Sequence, residues 1–187
     1  FSDPILTISN YSLRDITSTF PTLRGKISYV YHGIPEGFEP PANPILKKGV
    51  LMLGGDSHQK NPENMLKAWA QLPKELQKAH PLTILGFVGG EDSIISKTIR
   101  ALGIENDIII KGWVTEDELI QEMQTSKVFI FASREEGFGF PLVQSMASGT
   151  PVVTSEADVL VEIGQDAVCS AKAEDFLALS SAVRNLL

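Results

Sequence analysis

Glu136 stands at the mouth of a glycine loop, Glu136-Gly-Phe-Gly139, that leads into Phe140-Pro-Leu-Val-Gln144. Gly137 and Gly139 let the backbone approach a ligand closely and adopt positive φ. Pro141 suits a first helical position, where its missing N–H costs nothing. The free N–H groups of Leu142 and Val143 are then expected to face the loop, an arrangement that attracts phosphate. A carboxylate beside an anion site suits a ligand with both phosphate and hydroxyl groups, such as a sugar nucleotide.

A second loop of similar character is Gly54-Gly-Asp-Ser-His-Gln-Lys60-Asn-Pro62. Its glycines run into a helix start and carry one lysine, so by composition it is another phosphate cradle. The plainer reading is a strand-to-helix turn with a solvated lysine. The loop is not a Walker A sequence, and the dinucleotide pattern G-x-G-x-x-G is absent. His58 lies in this loop, placed either to hydrogen-bond a ligand or simply in solvent. Trp113 either flanks a base or packs. Ser133 and Ser145 lack the Gly-x-Ser-x-Gly setting of a hydrolase nucleophile. His32, His58 and His80 have no ligand-spaced partners, which argues against a metal site. With no Asp-x-Asp pair in the chain, the usual carboxylate grip on a metal-bound diphosphate is missing as well.

These loops must be carried by regular elements, and the hydrophobic pattern supplies them. Strands are expected at Ile5–Ser9, Ile27–Tyr31, Gly49–Leu53, Leu82–Val88, Asp107–Lys111, Lys127–Ala132, Pro151–Thr154 and Ala167–Ser170. Helices fall between them: one opening at Ser12-Leu-Arg-Asp15, one at Asn61-Pro62, one over about Asp92–Leu102, and one capped by Thr115-Glu-Asp-Glu118. Short apolar strands alternating with amphipathic helices imply an α/β fold, a doubly wound parallel sheet of Rossmann type. Such a sheet binds ligands beyond the carboxyl ends of its strands, where the strand order reverses. The organisation expected is a β-α-β unit over 1–34, a proline-rich linker over 35–48 holding Pro35, Pro40, Pro41 and Pro44, and a nucleotide-sugar-binding domain over 49–187.

Composition bounds the class. With 43% hydrophobic and 21% charged residues, the 187-residue chain can fill a core. A net charge of −7 disfavours nucleic acid and leaves no polybasic membrane patch. Cys169 is the single cysteine, so no disulfide forms within the chain, which fits a reducing cytosol. No apolar stretch reaches membrane-spanning length. The chain starts at Phe1 and enters a strand by Ile5, so it reads as a piece of a longer protein.

The stretch Glu136 to Val153 resembles the signature of family 4 (group 1) retaining glycosyltransferases, enzymes of the GT-B architecture with two Rossmann-like domains facing a cleft. Leu53-Gly54 with Gln59-Lys60-Asn61, Lys111-Gly112-Trp113-Val114 and Glu162-Ile163-Gly164 resemble further segments of the donor domain. Ile8 to Asp15 and Tyr31-His32-Gly33-Ile34 resemble the end of the acceptor domain and the start of the linker. The resemblance implies that Glu136 hydrogen-bonds sugar hydroxyls, with Gly137, Phe138 and Gly139 closing around the sugar. Lys60 would neutralise the diphosphate, and Trp113 and Val114 would lie beside the base. Gly54, Gly55, His58, Leu142, Val143 and Gln144 complete the donor-binding set. No cofactor and no metal are implied. The expected partners are a nucleotide sugar and, through a missing N-terminal domain, a glycan or lipid acceptor. A cytoplasmic location is expected, with peripheral attachment to the inner face of a membrane open to the full-length protein.

Two positions depart from the family pattern. Its second signature acid falls on Gln144, which keeps hydrogen bonding without charge. Its phosphate-binding arginine falls on Gly55, which removes a fork of donors. Three readings follow: the donor half of an active transferase, unable to transfer sugar alone; a degenerate non-catalytic nucleotide-sugar-binding or partner-activating module, favoured by Gly55 and Gln144; or another GT-B enzyme, such as an epimerase or a phosphorylase.

Overall fold

The computed structural model describes residues 4–43 and 45–187; Phe1 and Pro44 lie outside that range. The chain opens with β1 (Ile5–Thr7), α1 (Asn10–Thr19) and β2 (Ile27–Tyr29). β1 and β2 pair in parallel as a separate two-stranded sheet. There follow β3 (Val50–Leu53), α2 (Pro62–Ala70), α3 (Lys74–Ala79), β4 (Leu82–Leu85), α4 (Ile94–Leu102), β5 (Ile108–Lys111), α5 (Glu116–Thr125), β6 (Val128–Phe131), α6 (Phe140–Ala147), β7 (Val152–Ser155), α7 (Asp158–Gly164), β8 (Cys169–Ala171) and α8 (Phe176–Leu186).

The six later strands form one parallel sheet in the order β5-β4-β3-β6-β7-β8. The order reverses between β3 and β6, so the loops beyond Leu53 and Phe131 flank the crevice where such sheets bind ligands. Both faces are covered, as the apolar strands require. Val50, Met52, Val128 and Ile130 face a core with Met65, Trp69, Ile95 and Leu179 from α2, α4 and α8. The alternate residues Leu51, Phe129 and Phe131 face Met123, Leu142 and Leu160 from α5, α6 and α7. Trp69 is thus a core residue, and its indole N–H donates to the His80 carbonyl.

Several elements differ from the sequence expectation. Strand β4 stops at Leu85 because Gly86 takes φ +76°, although Phe87 and Val88 continue the apolar run. Helix α1 begins at Asn10, and its cap is Ser9, whose hydroxyl accepts the Ser12 amide; Ser12 is a capped residue and not the cap. Helix α3 has no counterpart in the expected set. The Thr115–Glu118 capping box forms as the spacing implies.

The proline-rich stretch is fastened to the large domain. Phe38 is buried in the second core layer, and the Glu39 carbonyl accepts from Gln124. Lys47 donates to the Gly149 carbonyl and the Thr150 hydroxyl, both at 2.7 Å; burial holds its ammonium below the usual lysine range.

Candidate functional site

Beyond β3 the chain turns at Gly54, whose amide donates to the Leu85 carbonyl at 2.6 Å. A Cβ here would stand 2.7 Å from the Phe87 backbone nitrogen, so only glycine allows the first two loops to pack this closely. Asp56 then receives the amides of Ile94 and Ile95, tying the loop to the start of α4. Asn61 is held at φ +57° and does not cap α2 with its side chain. Instead its amide donates to the carbonyls of Ala132 and Ala173, joining the loop after β3 to those after β6 and β8.

Beyond β6 the second loop lies against the first. The Arg134 amide donates to the Gln59 carbonyl at 2.8 Å, and the Gln59 side chain donates to the Glu135 carbonyl at 3.0 Å. The Arg134 guanidinium reaches the His58 carbonyl and the carboxylate of Glu174. The two loops therefore behave as one platform. On it, Lys60 Nζ donates to Glu136 Oε1 at 2.7 Å, with Glu136 11% and Lys60 39% exposed. The lysine and the acid singled out from sequence meet at the reversal point of the sheet.

Two cavities open beside this pair. One, of about 300 Å³, is lined by Leu53, Gly54, Gly55, Leu85, Trp113 and Val114. Trp113 is 83% exposed, so it belongs to the cavity rim and not to the core. The apolar walls and open backbone suit a flat heterocycle. The second, of about 80 Å³, lies between Gly55, Lys60, Ser133 and Pro141.

The glycine loop itself is oriented by the first β-α-β unit. The Gly137 carbonyl accepts from the hydroxyls of Ser9 at 3.0 Å and Ser12 at 3.3 Å. The Phe138 side chain is buried, edge-on to His32 with ring centres 5.1 Å apart. Only its backbone is left to meet a ligand. Glu162, on α7, receives the amides of Asn10 and Tyr11 at 2.8 Å each, a carboxylate set on the positive end of α1.

Two placements correct the sequence reading. Gly139, at φ +93°, caps α6, and its carbonyl takes both the Leu142 amide at 3.0 Å and the Val143 amide at 3.4 Å. Those amides are therefore not free for an anion, because the first turn of α6 is wound tightly onto its cap. Leu142 is also buried in the core. Pro141 is the second helical residue and not the first. Gln144 is half-buried on α6 and lines neither cavity, and His58 is exposed with its carbonyl engaged by Arg134. Ser9, Asp56, Arg134 and the capping role of Glu162 are missed by the motifs, because their partners lie dozens to more than a hundred positions away.

Comparison with known proteins matches residues 37–187 to the family described as Glycosyl transferases group 1. The O-antigen chain mannosyltransferase B of Escherichia coli is 29% identical over 188 residues, covering 95% of this chain and 49% of that protein. The MMP alpha-(1->4)-mannosyltransferase of Mycolicibacterium hassiacum is 29% identical over 168 residues, covering 89% and 40%. Sucrose-phosphate synthase from Thermosynechococcus elongatus superposes with a TM-score of 0.81 at 19% identity, over all of this chain and 49% of that one, a likeness of fold. The chain spans about half the length of the curated relatives it matches or less.

Proposed function

The chain belongs to the group 1 glycosyl transferases, and from that membership we propose that it forms the donor side of a retaining enzyme acting on a nucleotide diphosphate sugar. The observation that carries this reading is the Lys60–Glu136 pair at the sheet's reversal point, beside an apolar cavity lined by Gly54, Gly55 and Trp113. The base enters between Gly54 and Trp113, the diphosphate lies over Lys60, and the sugar meets Glu136.

In the reaction the bond between the anomeric carbon and the diphosphate oxygen breaks. The acceptor oxygen bonds to that carbon from the face the diphosphate leaves, and the acceptor proton passes to the departing phosphate. Lys60 stabilises the negative charge that grows on the leaving group, where a fixed cation is worth most. Glu136, released from Lys60, accepts hydrogen bonds from sugar hydroxyls. No carboxylate nucleophile is required, unlike the two-carboxylate scheme of retaining glycosidases.

Mannose is the sugar to test first, because both relatives named above are mannosyltransferases. The acceptor would be held by a facing domain, of which residues before the proline-rich stretch supply one β-α-β unit. Calorimetric titration against UDP-, GDP- and ADP-sugars, followed by a transfer assay on the full-length protein, tests the reading. Binding of one nucleotide sugar in preference to its bare sugar, with transfer, supports it. Binding without transfer turns the assignment to a non-catalytic donor-binding module, and absence of binding across the panel overturns it.

A further inference from the structure

Ser133 is 1% exposed, and its hydroxyl has no hydrogen-bond partner among the described residues. A buried hydroxyl left unpaired costs stability, so such a group calls for an explanation. Three backbone groups around it are engaged. The Ser133 carbonyl accepts from the Ser155 hydroxyl, the Arg134 amide is taken by Gln59, and the Ala132 amide points at the Met65 sulfur. The side-chain oxygen is left without a partner among the described residues.

Ser133 lines the cavity of about 80 Å³ together with Gly55, Lys60, Phe131 and Pro141. That is room for a group of a few heavy atoms, several times the space one water needs. The ammonium of Lys60 lies 6.0 Å from the centre of the Phe131 ring, at the edge of this space. Gly55 keeps the space open, since a Cβ there would stand 2.6 Å from Lys60 Cγ. One cation, one unused hydroxyl and walls of low polarity make a small compartment in which a charged acceptor is held strongly.

We propose that Ser133 is a donor-binding residue that gives its hydroxyl hydrogen to a non-bridging oxygen of the bound diphosphate, in the compartment Lys60 uncovers when its ammonium leaves Glu136 for the same phosphate. The inference rests on the nucleotide-sugar reading above. It also accounts for how the chain holds a diphosphate with glycine at position 55: an inner hydroxyl takes over part of the missing donor set.

Ser133→Ala in the full-length protein tests this against a merely structural role. Removing an unpaired buried hydroxyl leaves the melting temperature unchanged or raises it. Affinity for UDP, GDP or ADP, whichever binds the parent, falls roughly tenfold or more, as expected for a hydrogen bond to a charged group. Affinity for the matching nucleoside (uridine, guanosine or adenosine) changes less than twofold. Equal diphosphate affinity in variant and parent overturns the proposal. So does a matching loss of nucleoside affinity, or a lowered melting temperature without selective diphosphate loss, either of which makes the hydroxyl structural. A parent that binds neither diphosphate nor nucleoside refutes the nucleotide-sugar reading itself.

Discussion

Lys60 and Glu136, 76 positions apart in the chain, are joined by a 2.7 Å hydrogen bond because β3 and β6 are neighbours at the centre of the sheet. In the proposed reaction a diphosphate takes the lysine, and the freed carboxylate becomes available to a sugar. Lys60→Ala is expected to weaken nucleoside diphosphate binding by roughly 10- to 150-fold and nucleoside binding hardly at all. Glu136→Ala should instead narrow the gap between a nucleotide sugar and its bare nucleotide. Calorimetry on both variants checks the division, and equal diphosphate affinity of Lys60→Ala and parent would remove Lys60 from the site.

Gln144 tests the reading of the ribose. Gln144→Glu should strengthen binding of a ribonucleotide more than of its 2′,3′-dideoxy analogue, since a carboxylate accepts from two vicinal hydroxyls with charge-assisted strength. A crystal complex with Gln144 far from any ribose oxygen would overturn this assignment.

Glu162→Ala removes two charge-assisted hydrogen bonds at the start of α1. A loss of about 1–3 kcal/mol is expected for these partly exposed contacts, with Glu162→Gln intermediate. Hydrogen exchange at Asn10 and Tyr11 should quicken, and so should exchange in the glycine loop that Ser9 and Ser12 hold. Unchanged exchange throughout would show that α1 is fixed by packing alone.

His80 supplies a pH dependence. Burial, aided by the charge of Lys127, lowers its pKa below the usual histidine value, and Nδ1 has no partner among the described residues. The fold thus favours neutral imidazole, so its contribution is complete above pH ~6.5 and is lost as pH falls through the lowered folded value. Melting temperatures measured from pH 7.5 down to 5 should drop more steeply for the parent than for His80→Leu. Parallel curves for the two would refute it.

The strands of the large sheet, both glycine loops and the Thr115 cap were legible because each depends on neighbours within a few residues. The Thr115–Glu118 box needs only its own spacing, and the strands only their apolar runs. The end of β4 was not, since the turn set by Gly86 is hidden inside a continuous hydrophobic run. The freedom of the Leu142 and Val143 amides was misjudged, because their capture depends on how Gly139 turns and not on residue type. Arg134, Asp56 and Glu162 act on partners 38 to 152 positions away, and local spacing carries no trace of such pairs.

The missing Cβ at position 55 also constrains how this site can change. Any side chain there presses on the Lys60 stem, at 2.6 Å from Cγ and 2.9 Å from Cβ, close to the backbone where a rotamer change gives little relief. Installing an arginine there in one step would therefore gain a guanidinium while displacing the existing ammonium. Phosphate affinity in Gly55→Arg need not rise, and the two cations would become additive only after the turn between Ser57 and Lys60 had shifted. Their order of acquisition matters, so position 55 is read correctly only together with the geometry of position 60.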